Sequence, residues 1–295
     1  MTIQRVEDVI AAAHGEAPVD LLLRNGKLVN VLSGEIHSVD VAVHEGMVVG
    51  FGAYDAKEVV DLGGRYLCPG FIDGHVHLES GMVVVSEFAR AVVPVGTTTV
   101  ITDPHEMANV MGLEGVRYIL NTSEGLPLRV FLMAPSCVPA TDMETSGARL
   151  TSSDITLLLN HERVIGLAEM MNYPGVIHRD PEVMKKLAIA EGRPIDGHAP
   201  GVTGKDLAAY CAAGIGSDHE STTAEEAKEK LAMGLHLMIR EGTAERDLDA
   251  LLPVVTPKNA ARCSFCTDDR HPADLLAEGS INGLIRRAIA KGLDP

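Results

Sequence analysis

The sequence predicts an α/β fold: a TIM-type (β/α)8 barrel preceded by a small β-rich domain that forms an incomplete β-sandwich. Three observations predict it. Residues 20–62 alternate with period two between turn signals, the pattern of half-buried strands. From Tyr66 onward, short apolar runs alternate with helix-like stretches of ten to fifteen residues, the texture of βα units and a parallel sheet. Those runs number eight, the strand count of a closed barrel. The domains are accordingly drawn at 1–64, with a short leading segment, and 65–295.

In the first domain LLLRNGKLVNVLSGE, VDVAVHEGMVVGFG and KEVVDLGGRYL read as strands, with Asn25-Gly26 as a hairpin signal. The barrel strands are expected at 66–78, 97–103, 129–135, 164–170, 194–199, 214–219, 236–241 and 262–268. About 230 residues suit eight βα units, and in such barrels active sites lie at the C-terminal ends of the strands. Among the intervening helices, TTAEEAKEKLAM is read as Thr222 to Met233, with Thr222 as its cap and acids in its first turns.

Composition narrows the class. The 295 residues are 46% hydrophobic, yet no apolar run reaches the roughly eighteen residues of a membrane helix. The first twenty residues mix both charges and lack the apolar core of a signal peptide, so a cytoplasmic protein is expected. A net charge of −16, with no clustered basic face, argues against nucleic acid or an anionic membrane as partner. The five cysteines, Cys68, Cys137, Cys211, Cys263 and Cys266, are odd in number and show no disulfide framework, which fits a reduced compartment. Cys263 and Cys266 form a CxxC with no second pair to complete a zinc knuckle, and are read as buried strand residues.

The chemistry concentrates at the expected strand ends. PGFIDGHVHLES puts His75 and His77 two residues apart, so that both imidazoles face one point from the end of the first barrel strand. Glu169 in VIGLAEM, His198 in PIDGHAP and His219 in GIGSDHE follow at the ends of the fourth, fifth and sixth strands. Asp268 and Asp269 end the eighth. Any one of these residues could be structural, but their convergence on one rim points to a shared ligand. Imidazoles with a carboxylate suit manganese, iron(II) or zinc better than calcium or magnesium, which prefer oxygen shells. With two oxygens, Glu169 can bridge two metals, so a binuclear centre is expected. A metal lowers the pKa of its water from 15.7 to about 7, making hydroxide available for hydrolysis. An aspartate facing that hydroxide can move its proton, and strand alternation allows only one of Asp268 and Asp269 to do so. Glu220 and Glu79, close behind ligand histidines, are read as partners for those rings or as proton donors. Asp103, His105 and Glu106 in TDPHE are candidates for substrate or a further metal. His14, His37, His44, His161 and His178 are read as solvated or structural.

These residues resemble the amidohydrolase superfamily, whose barrels carry HxH on strand one, a bridging residue on strand four, histidines on strands five and six, and an aspartate on strand eight. Many members bridge with a carboxylated lysine, whereas this chain has Glu169, as the adenine deaminase branch does. PGFIDGHVHLESGM, GTTTVITDPHEMANVMG, GLAEMMNYPGV, DGHAPG, SDHEST and FCTDDRHPADLL are similar to that branch, and the resemblance runs from about residue 20 to the end. It implies hydrolytic deamination of adenine to hypoxanthine and ammonia by a metal-bound hydroxide attacking the purine C6, with adenine the small-molecule partner. The family continues past the eighth strand, whereas this chain stops at INGLIRRAIAKGLDP, so a C-terminally truncated product is expected. A complete chain is expected to form a homo-oligomer. Two alternatives stay open: a related cyclic-amide amidohydrolase, and a catalytically silent metal-binding fragment.

Overall fold

The computed structural model describes residues 2–141 and 143–294. The chain divides into two compact units, Met1–Pro69 and Gly70–Pro295. In the first unit the helix Ile3–His14 leads into β1 (Val19–Arg24), β2 (Lys27–Asn30), β3 (Glu35–Ser38), β4 (Val41–His44), β5 (Met47–Phe51), β6 (Ala56–Asp61) and β7 (Tyr66–Leu67). These strands form two sheets, ordered β5-β4-β1-β6 and β3-β2-β7.

Asn25-Gly26 is not the expected hairpin. β1 pairs with β4 and β6, and β2 pairs with β3 and β7, so the dipeptide carries the chain from one sheet to the other. The two-residue hairpin turn that Asn-Gly favours, type I′, needs positive φ at both central residues. Only Asn25 has it, at 56°, with its side-chain Nδ2 donating to Asp61. That hairpin geometry occurs instead at Glu45-Gly46, where φ is 50° and 73° between the antiparallel β4 and β5.

Among the described residues the second unit holds eight parallel strands: β8 (Phe71–Val76), β9 (Thr97–Thr102), β10 (Arg129–Ala134), β11 (Val164–Met170), β12 (Ile195–Gly197), β13 (Ser217–Asp218), β14 (His236–Arg240) and β15 (Cys263–Cys266). β8 through β12 form one ladder and β13 through β15 another. Backbone bonds join the two: Gly216 donates to the Ile195 carbonyl at 3.0 Å, Asp268 to that of His75 at 3.0 Å, and His77 to that of Asp268 at 3.3 Å. The sheet thus closes into a barrel. Gly197 permits the first seam, since a Cβ there would lie 2.3 Å from the Ser217 carbonyl oxygen.

The first barrel strand is shorter than the expected 66–78. Tyr66–Leu67 pairs with β2 in the first unit, and the barrel strand starts only at Phe71. Pro69 separates them, because a residue without an N–H cannot continue a ladder. The helix expected over 222–233 spans Ala224–Ala232, and Thr223, not Thr222, caps it by accepting from the Glu226 amide. That choice puts Glu226 at the third helical position, from which its carboxylate accepts from the Thr222 amide.

Packing follows the βα pattern. Leu132, Leu167, Val100 and Val76 from the strands and Phe88, Val116, Ile155 and Leu207 from the helices are all buried in one core. No helix among the described residues is long and apolar enough to cross a membrane.

Candidate metal centre

β8 brings His75 to its end and His77 just past it, and their Nε2 atoms approach to 3.1 Å. The other nitrogen of each ring is committed. His77 Nδ1 donates to the carbonyl of Asp103 at 2.8 Å, and His75 Nδ1 faces the Asp196 carboxylate at 2.8 Å. A carbonyl can only accept, so His77 Nδ1 carries the proton and its Nε2 is left for the centre. Neutral rings would therefore aim two lone pairs at each other. Burial opposes charge on both rings, but Asp196 and Asp268 beside His75, and Asp268 and Glu169 beside His77, hold both pKa values well above the usual histidine range. The position calls for positive charge.

Glu169, at the end of β11, divides its oxygens between two groups. Oε2 lies 2.5 Å from His198 Nδ1 and 3.1 Å from His219 Nε2, while Oε1 lies 3.5 Å from His77 Nε2 and 3.3 Å from His105 Nδ1. Burial raises the cost of its charge, yet hydrogen bonds from His198 and His219 hold its carboxyl well below the usual range. His198 and His219 directly follow β12 and β13. His219 stacks on His75 at 3.9 Å, and its own Nδ1 is buried without a partner. His75, His77 and Glu169 form one set of converging donor atoms, and Glu169, His198 and His219 a second, with Glu169 common to both. Buried, mixed imidazole and carboxylate donors sharing one carboxylate fit divalent metals.

Asp268 adopts φ 53°, a left-handed conformation, and its carboxylate faces the histidines. Its Oδ1 is 3.1 Å from His77 Nε2 and 3.6 Å from His75 Nε2. Burial opposes its charge, but hydrogen bonds from these rings keep it ionised. Asp269 makes no hydrogen bond to the histidines and leaves Oδ1 buried without a partner. Glu220 places Oε1 3.6 Å from both His198 and His219. His105 opens the helix His105–Met111; burial opposes its charge and Asp103 more than restores it, raising its pKa to about 9. Burial pushes Glu106 up to about 8. Glu79 accepts from the Met107 amide, so it braces this loop and does not touch the histidines. A cavity of about 280 Å³ opens onto His77, Glu106, His198, Glu220 and Asp268. That is just below the roughly 300–1,000 Å³ of ligand pockets.

Sequence reading missed Asp196 and Arg240. Asp196 stands two residues before His198, and the alternation that linked His75 to His77 could have found it. Arg240 ends β14, the strand between the sixth and the eighth, and its side chain bonds Glu220 and Asp268.

One further ion cluster holds the rim. Lys230, from the helix Ala224–Ala232, is buried and donates to Asp218 Oδ1 at 2.6 Å, Glu226 Oε1 at 2.8 Å and the Ala199 carbonyl at 2.8 Å. Asp218 in turn accepts from the amides of Ala199 and Glu220, so it ties the segments after His198 and His219 together. Lys230→Met is expected to cost about 3–5 kcal/mol, since it strands a buried carboxylate. Urea unfolding measures this, and a loss below about 1 kcal/mol would show the cluster to be unimportant.

Imidazole and carboxylate donors converging on one rim of a barrel define a candidate metal-binding barrel. A match to the Amidohydrolase family covers residues 66–290, and the chain belongs to that family. It is 55% identical over 291 residues to an adenine deaminase of Desulfatibacillum aliphaticivorans, covering 98% of this chain and 51% of that protein. It is 53% identical over 289 residues to adenine deaminase 2 of Carboxydothermus hydrogenoformans, again with 98% and 51% coverage. The chain thus spans about half the length of these relatives. Among solved structures, atrazine chlorohydrolase of Arthrobacter aurescens TC1 aligns over 89% of this chain and 74% of its own, with a TM-score of 0.60 and 15% identity. The A. niger ochratoxinase aligns over 91% and 82%, with a TM-score of 0.56 and 13% identity. At such identities these two share the fold.

Proposed function

We propose that this chain carries the catalytic barrel of an adenine-deaminating hydrolase, which converts adenine and water to hypoxanthine and ammonia. The observation that carries the reading is Glu169 shared between two sets of histidines, in a chain 53–55% identical to adenine deaminases. In this reading His75, His77, Glu169, His198 and His219 hold a binuclear centre of manganese or iron, with zinc a third choice. Metals bound there supply acidified water, its pKa lowered from 15.7 toward about 7.

The chain's own groups do the rest. Asp268 Oδ1, beside His77, takes the proton of the attacking water and delivers it to the exocyclic nitrogen as the C6–N bond breaks. Glu220 lies across the centre against His198 and His219 and serves as a second acid–base group. Asp196 and the Asp103 carbonyl orient His75 and His77 through their Nδ1 atoms. His105, Glu106 and Asp269 border the substrate side, Asp103 and Glu79 support them through His105 and the Met107 amide, and the uncharged Glu106 carboxyl can donate to a ring nitrogen. A cytoplasmic location, and a homo-oligomer for a complete chain, accompany this reading.

The test is ammonia release from adenine by the purified chain, reconstituted anaerobically with iron(II) or manganese(II). Turnover is expected in the reconstituted protein and is expected to vanish in a His75→Ala, His77→Ala variant. Ring opening of a cyclic amide without ammonia would replace the substrate; bound metal with no turnover of either kind would favour a silent fragment.

A further inference from the structure

We propose that Arg240 is a positioning residue of the centre, holding Glu220 and Asp268 so that both carboxylates face the histidine cluster. Arg240 is 4% exposed and ends β14, between the strands that lead to those two acids. Its Nη1 donates to Asp268 Oδ2 at 3.1 Å and closely to Glu220 Oε1, and its Nε donates to Asp247 Oδ2 at 3.2 Å. The division of Asp268 is the key point. Oδ2 is tied to the guanidinium while Oδ1 is left 3.1 Å from His77, so the rotation of the carboxylate is set from behind. Asp268 needs such a restraint because its backbone is held at φ 53°, where an L-residue is strained and local structure must enforce the conformation. Glu220 is steered by the same nitrogen, which couples the acids after β13 and β15 through the strand between them.

Arg240 is itself fixed. Asp247 receives its Nε, and the Asp247 amide donates to the Arg240 carbonyl at 3.0 Å. A planar guanidinium can hold three carboxylates at set angles, whereas an ammonium with one nitrogen cannot reproduce the fork. The role of Arg240 is therefore geometric as well as electrostatic, and it acts on the metal centre through Asp268 and Glu220.

This proposal rests on the metal-centre reading but not on the substrate, so its test uses Mn(II) alone. Calorimetric titration of the full chain with Mn(II) is expected to give Arg240→Gln an affinity about 10–100-fold below wild type, the usual effect of removing a ligand's supporting partner. Arg240→Ala is expected to recover part of the loss in millimolar guanidinium, which a merely structural residue would not do. Asp247→Asn leaves the two central contacts in place, and is expected to weaken Mn(II) binding less. It also keeps the test open should the Arg240 variants not fold. His77→Ala serves as the reference for a lost ligand. Unchanged Mn(II) affinity in folded Arg240→Gln, or in Asp247→Asn when the Arg240 variants do not fold, overturns the proposal. So does a loss that guanidinium leaves untouched. Unchanged affinity in His77→Ala overturns the metal-centre reading together with it. If the Mn(II) series behaves as expected and adenine is not deaminated, the substrate assignment alone fails.

Discussion

Glu169→Ala is expected to empty the metal centre and abolish turnover. Both histidine sets converge on this one carboxylate, so its removal takes a ligand from each at once. The effect should appear before any substrate is added. Glu169 is 2% exposed, and without it His198 and His219 lose the anion they face at 2.5 Å and 3.1 Å. Breaking a buried charge cluster costs about 3–5 kcal/mol, so the metal-free variant should also unfold at lower denaturant. Metal content after dialysis, measured by elemental analysis, is the deciding quantity. A variant that retains a full complement of manganese would sink the bridging role, whatever its activity.

Asp268→Asn is expected to lower kcat by about 10²–10⁴-fold at saturating metal, the range for removing a positioned acid–base group. The amide keeps the size of the side chain but cannot take up the proton of the attacking water. Since Oδ1 stands 3.1 Å from His77, metal affinity should fall as well, and the rate must be read where added metal no longer raises it. Asp269→Asn is the paired measurement. Asp269 makes no hydrogen bond to the histidines, so its replacement should change kcat far less. Equal losses in the two variants would mean that the inward-facing carboxylate of Asp268 does not decide which residue moves the proton. Asp268 stands at positive φ, a conformation strand alternation does not anticipate.

The parts of the centre legible in the sequence are those that depend on local geometry. His75 and His77 share a face because residues two apart in a strand always do. Glu169, His198 and His219 could be read because each comes at or just after the end of an apolar run, and barrel strands present such positions to a single rim. Local spacing also misled where a partner lay outside the window. Asn25-Gly26 has hairpin composition, but the pairing of β1 with β4 and β6 decided that the chain turns a corner there. Tyr66–Leu67 looked continuous with the first barrel strand until its ladder with β2 and the break at Pro69 separated them.

By itself, then, the sequence determined the eight-stranded barrel, the histidines and carboxylates of the candidate centre and the rim on which they meet, because hydrophobic period and strand direction are properties of consecutive residues. Only the tertiary structure decided how the carboxylates are divided among the histidines. Asp196 meets His75 from 121 residues away and Arg240 meets Asp268 from 28, and each contact exists because the barrel closes and brings distant strand ends within hydrogen-bonding range.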